Sequence, residues 1–244
     1  MSGFLRVDAG RRSSVTAASL VLAAWLALSV WSLSPYAEWL DHARIEAIAA
    51  PPTVRLVVFT LGWTLMIIAM MLPATLLLLA CCLEDKPLSI RRLAPVILAY
   101  LAVWAVFGSV SYLGDSALHE IVERVPALEG VIAPGVLLLA GVYQFTSIKR
   151  ACLSRCRPEG AAFKTLRQSS RRSLWTMGLL HGVFSLGSCW ALMLLMFAIG
   201  GVSMIWMLVL GAVMAAECLS QRGEGIARLL GVVLVAASAL LLMV

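Results

Sequence analysis

The sequence predicts an all-α integral membrane protein, a polytopic bundle of about seven transmembrane helices with its N-terminus in the cytoplasm. Three observations predict this class: 61% of the 244 residues are hydrophobic, only 13% are charged, and the basic residues cluster in alternate loops. A soluble domain usually carries about 25% charged residues. So little charge cannot cover a water-soluble globule of this length, whereas lipid accepts apolar side chains on the outside of a bundle.

Seven apolar stretches have about the length that a helix needs to cross the hydrocarbon core. They are predicted at about residues 15–33, 57–79, 93–113, 131–148, 175–199, 202–218 and 226–244. The first is too long for a signal-peptide core and lacks a small-x-small cleavage site, so we expect it to be retained. Pro73 should kink the second helix near Ala69. Gly200-Gly201 separates the fifth span from the sixth, and residues 1–244 are predicted to form a single transmembrane domain.

The distribution of charge predicts the orientation of the chain. All of the 19 lysines and arginines fall on one side of the predicted topology except Arg44, Arg55 and Arg124. Cytoplasmic loops carry an excess of Lys and Arg, so the N-terminus and the basic loop 149–172 are expected in the cytoplasm. The net charge of +6 suits contact with anionic lipid. The bilayer is the predicted partner and nucleic acid is not, because no zinc-finger spacing or RNA-binding signature occurs.

The fifth span carries the densest set of polar and sulfur-bearing side chains. At about 100° per residue, one stripe about 120° wide contains Met177, His181, Ser185, Ser188, Cys189 and Met196. Polar side chains are costly within a membrane, so this stripe should face the interior of the bundle. For His181, a ligand role and a structural hydrogen bond both remain open. Cys189 alone would also be consistent with an inert buried thiol.

Further sulfur atoms are predicted at the middle of the second and fifth spans, which run in opposite directions. They belong to Met66, Met70 and Met71 in the second span and to Cys189, Met193 and Met196 in the fifth. Thiolate, thioether and imidazole groups suit Cu(I), and they suit zinc less well. Methionine also fills space in apolar helices, so packing remains the alternative for Met66 and Met193.

Cys152 and Cys156 form a C-x3-C motif in the basic loop. Thiols on the cytoplasmic side stay reduced, so no structural disulfide is expected there. If this segment is helical, the two thiols lie one turn apart and could hold a soft ion together. The neighbouring basic residues favour thiolates. Free surface thiols or palmitoylation sites are the alternatives.

Several sequence blocks occur in the order in which a known family has them. They are Met70-Met71-Leu72-Pro73, Tyr143-Gln144, Lys149-Arg150-Ala151-Cys152-Leu153, Cys156-Arg157, His181-Gly182, Gly187 and Cys189-Trp190-Ala191-Leu192-Met193. On these blocks the chain resembles, from about Trp63 to Trp206, the bacterial predicted metal-binding integral membrane proteins, some of which are described as copper chaperones. The resemblance implies a multi-pass protein of the bacterial inner membrane that handles copper. Many relatives have further cysteines where this chain has Ser185 and Ser188.

The leading hypothesis is a non-enzymatic protein that binds and delivers Cu(I), as a chaperone or a transporter, to a copper-dependent enzyme or a larger membrane complex. The predicted metal ligands are Cys152 and Cys156 at the inner face, His181 at the entrance of the fifth span, and Cys189, Met66, Met70, Met71 and Met193 at mid-depth. One alternative is a structural or assembly subunit of a membrane complex without a metal. Another is a membrane thiol or quinone enzyme that uses Cys189, although the sequence shows no nearby base.

Overall fold

The computed structural model consists of helices and short connections. It describes residues 19, 22–23, 25–30, 32–33, 50–76, 90–156, 171–198, 204–220 and 222–243. The helices are α1 Pro52–Met70, α2 Ile90–Arg124, α3 Glu129–Tyr143, α4 Ser147–Cys156, α5 Arg171–Ala198, α6 Met204–Leu219 and α7 Gly223–Met243. A short 3-10 helix, Pro126–Leu128, precedes α3. No strand occurs in the residues that the structure describes, so the prediction of an all-α chain is confirmed there.

Four helices are long and apolar enough to cross a membrane. They are Pro52–Met70, Leu93–Arg124, Leu174–Met196 and Gly223–Met243. A fifth span is possible if α3 and α4, which meet at an angle of 66°, count as one broken span. The first predicted span is described only in part, at residues 19, 22–23, 25–30 and 32–33, and the Gly200-Gly201 break lies outside the described residues. The count of about seven spans and the cytoplasmic N-terminus therefore stay predictions.

The ends of several helices differ from the predicted ends for identifiable reasons. Helix α1 ends at Met70, and helical backbone resumes over residues 72–76 after a turn at Met71. Pro73 has no N–H to donate to the carbonyl of Ala69, which explains a break close to the predicted kink. Helix α2 continues past the predicted end at Leu113. Its polar C-terminal part is helical to Arg124 and carries a salt bridge between Glu120 and Arg124, four residues apart.

The predicted fourth span, residues 131–148, is divided in the structure. Helix α3 ends at Tyr143, and α4 begins after a turn at residues 144–146. The hydroxyl of Thr146 accepts a hydrogen bond from the backbone N–H of Lys149 at 3.3 Å. This is the geometry of a helix N-cap, so Thr146 starts a new helix. The turn directs α4 across α5 and α6 and brings its side chains to the interior of the bundle.

Helix α5 is at the centre of the fold, with α2, α3 and α4 packed along it. The close approach of α2 to α5 depends on Gly182 of α5. A Cβ atom at this position would lie only 3.0 Å from Cγ2 of Val103 on α2, which is tighter than an ordinary contact. Helix α1 packs on α2 through Trp63, whose indole N–H donates to the carbonyl of Trp104 at 3.1 Å. Helix α7 packs on α3, and the hydroxyl of Ser238 donates to the carbonyl of Pro134. These contacts hold α1, α4, α5 and α6 around one small cavity.

Candidate metal site

The cavity has a volume of about 30 Å³ and lies between α1, its continuation at residues 72–76, α4, α5 and α6. A volume of this size accommodates a water molecule or a single ion. Its lining consists of Met70, Met71, Ala74, Thr75, Leu153, Cys156, His181, Ser185, Ser188, Cys189, Met214, Ala215, Glu217 and Cys218. All four surrounding helices therefore contribute side chains to one internal site.

Sulfur is the most frequent ligand atom in this lining. Three thioethers line it, from Met70, Met71 and Met214, together with three thiols, from Cys156, Cys189 and Cys218. The thiols of Cys156 and Cys189 belong to side chains that are only 1% and 4% exposed. Cys218 is half-buried. Such a set of soft, mostly buried donors is the environment that Cu(I) prefers among common metal ions.

His181 is held in the wall of the cavity by contacts with two other helical segments. Its Nε2 atom lies 3.4 Å from Oγ1 of Thr75, whose hydroxyl donates to the carbonyl of Met71 at 3.2 Å. If that hydroxyl hydrogen stays on the carbonyl of Met71, the contact requires the His181 tautomer that carries its proton on Nε2. The imidazole also stacks on the ring of Tyr100, with 5.5 Å between ring centroids. A structural role for His181 is therefore visible in addition to its place beside the cavity.

Cys189 and Ser188 direct their side chains back to the backbone of α5. The thiol of Cys189 donates to the carbonyl of Ser185 at 3.0 Å, and the hydroxyl of Ser188 donates to the same carbonyl at 2.7 Å. The hydroxyl of Ser185 lies 3.1 Å from that of Tyr100 on α2. A metal ion that bound Cys189 would replace the thiol proton, because metals bind the thiolate form of cysteine.

A buried ion pair adjoins the sulfur atoms. Nζ of Lys149 on α4 donates to Oε2 of Glu217 on α6 at 2.7 Å, and the two side chains are 1% and 2% exposed. Glu217 also lines the cavity. Charged groups are rarely buried without a partner, and here each charge neutralises the other. The pair connects the short helix α4 to α6 directly beside Cys156 and Cys218.

Five of the eight predicted ligands line the cavity: Met70, Met71, Cys156, His181 and Cys189. The other three do not. Met66 and Met193 are buried in the apolar core, which agrees with the packing role left open for them. Cys152 is half-buried, and its Sγ atom packs on Gly187, where a Cβ atom would lie only 2.6 Å away. Cys156 therefore lines the same cavity as Cys189, whereas its predicted partner Cys152 does not line it.

Three cavity residues on α6 have side chains that can bind a metal and were not among the predicted ligands: Met214, Glu217 and Cys218. Their spacing of three and one residues places them on one helical face. The same helical periodicity that predicts the stripe on the fifth span also predicts a shared face for these three residues on the sixth. Their partners on α4 and α5 could not be deduced from that spacing.

Within the described residues, no group of three or more His, Cys, Asp or Glu side chains is arranged to hold a metal ion. A site made only of these residue types is therefore not formed in that part of the chain. The three methionines supply the additional donors that could complete a site with one or two thiols. Thioethers are acceptable to Cu(I) and poor ligands for zinc or harder ions.

These features define a helical protein with several apolar helices that could span a membrane and with a sulfur-lined internal cavity. A family model described as PpoB2, copper chaperone, matches residues 60–241, and the chain belongs to this family. The matched range contains every residue that lines the cavity. No curated protein and no solved structure matches the chain. The predicted resemblance to a family with copper chaperones among its members is confirmed by this match.

Proposed function

We propose that this protein binds Cu(I) in the cavity between α1, α4, α5 and α6 and delivers it to a copper-dependent enzyme or a larger membrane complex. One observation carries the proposal: three thiols and three thioethers surround a single buried cavity of ionic size. The family description supports copper as the cargo. The four apolar helices support a location in a membrane. That this is the bacterial inner membrane, with the N-terminus in the cytoplasm, is part of the proposal and follows from the family resemblance and from the distribution of basic residues.

The choice of Cu(I) over Cu(II) or zinc follows from the donor atoms. Cu(II) prefers nitrogen and oxygen ligands in a square arrangement, whereas Cu(I) accepts sulfur. One thiolate, as from Cys189, balances the single positive charge of Cu(I), so the complex can be buried without a net charge. Neighbouring thioethers such as those of Met70 and Met214 complete the coordination without releasing further protons.

The positions of the two α4 cysteines suggest how copper reaches the cavity. Cys152 is half-buried, and Cys156, one helical turn further along, is buried against the cavity. The basic segment after α4 is predicted to lie in the cytoplasm. In our proposal, copper passes by ligand exchange from Cys152 to Cys156 and then to Cys189. Such a route predicts different roles for the two thiols, with Cys152 affecting the rate of uptake and Cys156 affecting affinity.

Copper binding by the purified full-length protein in detergent tests this proposal. The reduced protein would be loaded with Cu(I), separated from free metal by gel filtration, and analysed for metal by mass spectrometry. We expect about one copper per chain. Cys189→Ala should weaken binding at least about tenfold in competition with a Cu(I) chelator, since it removes a ligand.

The matched control is Met193→Leu, which alters a buried sulfur-bearing residue that does not line the cavity. It should bind copper as the wild type does. A wild-type protein that remains metal-free after reductive loading would overturn the proposal and favour a structural subunit without a metal. Equal losses for Cys189→Ala and Met193→Leu would show that general disturbance of the fold, and not a missing ligand, weakens binding.

A further inference from the structure

The two carboxylate oxygens of Glu217, which forms the buried ion pair with Lys149, differ in their hydrogen bonding. Oε2 of Glu217 accepts the hydrogen bond from Lys149, whereas Oε1 is fully buried and has no hydrogen-bond partner among the residues that the structure describes. The same side chain lines the cavity. A buried carboxylate oxygen without a donor is costly, so its free lone pairs call for a water molecule or a cation in the adjoining space.

The ammonium group of Lys149 decides how strongly this carboxylate attracts cations. With Lys149 at 2.7 Å, the wall of the cavity carries no net charge from the pair. The sulfur atoms then dominate the choice of ion. Without Lys149, Glu217 would retain its negative charge only if another cation balanced it. A carboxylate oxygen is a hard ligand that suits zinc and other divalent ions better than Cu(I), and it would add to the charge attraction for them.

We propose that Lys149 is a specificity-determining residue: by neutralising Glu217, it makes the cavity select a soft monovalent cation and disfavours divalent cations. This inference rests on the proposed function, because it concerns the same cavity. It assigns to the ion pair a role other than holding α4 to α6. The alternative is that a water molecule donates a hydrogen bond to Oε1. In that case, replacing Lys149 should not change the metal preference.

Zn(II) binding by three variants of the full-length protein tests the proposal. Lys149→Gln removes the charge, Lys149→Gln with Glu217→Gln removes both charges, and Lys149→Arg keeps the positive charge. Dissociation constants would be measured by competition with a fluorescent zinc chelator, and folding would be monitored by gel filtration and thermal melting. We expect Lys149→Gln to bind Zn(II) at least about tenfold tighter than the wild type, a change of about 1.4 kcal/mol. The double variant and Lys149→Arg should resemble the wild type.

An unchanged Zn(II) affinity in folded Lys149→Gln overturns the inference, as does an equal gain in the double variant, because that gain would not come from Glu217. If Lys149→Gln does not fold, Glu217→Gln provides the second test. This variant leaves the Lys149 ammonium beside the cavity without its carboxylate partner. Because that positive charge then opposes a bound cation, binding of Ag(I), a soft monovalent cation, should weaken at least about tenfold. Unchanged Ag(I) binding there also overturns the inference. Failure of wild-type protein to bind Cu(I) would instead contradict the proposed function, and the Zn(II) comparison would still decide the role of Lys149.

Discussion

Cys156 of α4 and Cys189 of α5 line the same cavity, although the sequence places them in different parts of the predicted topology. The turn at residues 144–146 makes this possible, because it directs α4 back across α5 and α6. Cys156, predicted at the inner face, and Cys189, predicted at mid-depth, therefore line one cavity. A metal ion in that space could contact both helices.

The first prediction separates the roles of the two α4 cysteines. Cys156→Ser should weaken Cu(I) binding at least about tenfold, because it replaces a cavity thiol with a poor Cu(I) ligand. Cys152→Ser should leave the equilibrium affinity unchanged and slow copper uptake, because Cys152 lies outside the cavity lining. Chelator competition gives the affinities, and stopped-flow transfer from a Cu(I) donor gives the rates. Identical behaviour of the two variants would contradict the assignment.

The second prediction concerns the methionines of α1. Met70→Leu should lower Cu(I) affinity, because a thioether that lines the cavity is lost while the side-chain volume is nearly preserved. Met66→Leu is the matched control, one helical turn away and buried in the core only. Both changes should cost less than about 1.5 kcal/mol of folding stability. Thermal melting and copper competition on the same preparations measure the two effects. A loss of affinity in Met66→Leu equal to that in Met70→Leu would argue against a thioether ligand.

The third prediction is an increase in Cu(I) affinity. Ser188 lines the cavity beside Cys189, and its hydroxyl is a poor donor for Cu(I). Ser188→Cys should therefore tighten Cu(I) binding by about tenfold or more, a gain of about 1.4 kcal/mol. Ser154→Cys, on the exposed side of α4, adds a thiol away from the cavity and should have no such effect. Competition with a strong Cu(I) chelator compares the two, and a gain in both variants would point to nonspecific thiol binding.

The fourth prediction tests the packing of α4 on α5. Gly187→Ala should destabilise the protein by about 1–3 kcal/mol, because the new methyl group would overlap Sγ of Cys152. Combining it with Cys152→Ala should restore most of that loss, since the obstructing sulfur atom is removed. Gly135→Ala is the control, because nothing lies within 4 Å of its added Cβ atom. Thermal unfolding in detergent compares the wild type, Gly187→Ala, Cys152→Ala, the double variant and Gly135→Ala. Additive losses in the double variant would show that the two residues do not interact.

Much of the helical framework could be predicted because apolar periodicity and helix-breaking residues are local signals. The predicted span 175–199 corresponds closely to α5, Arg171–Ala198. The stripe with His181 and Cys189 was found from the same periodicity, and both residues line the cavity. The polar end of α2 was missed, because hydropathy falls where charged residues begin although backbone hydrogen bonding continues to Arg124.

The remaining features depend on contacts between distant parts of the chain. No proline or glycine marks the turn at residues 144–146, so the division of α3 from α4 had no local signal of the usual kind. The pairing of Lys149 with Glu217 requires two helices to meet in a particular register. Periodicity gives the face on which Glu217 lies but not its partner. For the same reason, Met66 and Met70 share a predicted face, but only Met70 lines the cavity.

The turn between α3 and α4 imposes a requirement on length as well as on composition. One residue inserted directly after Thr146, with α4 still beginning at that cap, would rotate the following side chains by about 100° about the axis of α4. Lys149 would then leave Glu217, and Cys156 would leave the cavity, although every charge and every sulfur atom would still be present. Insertions and deletions in this turn should therefore be as damaging as replacement of the ligands themselves, and homologues that share the site should preserve its spacing.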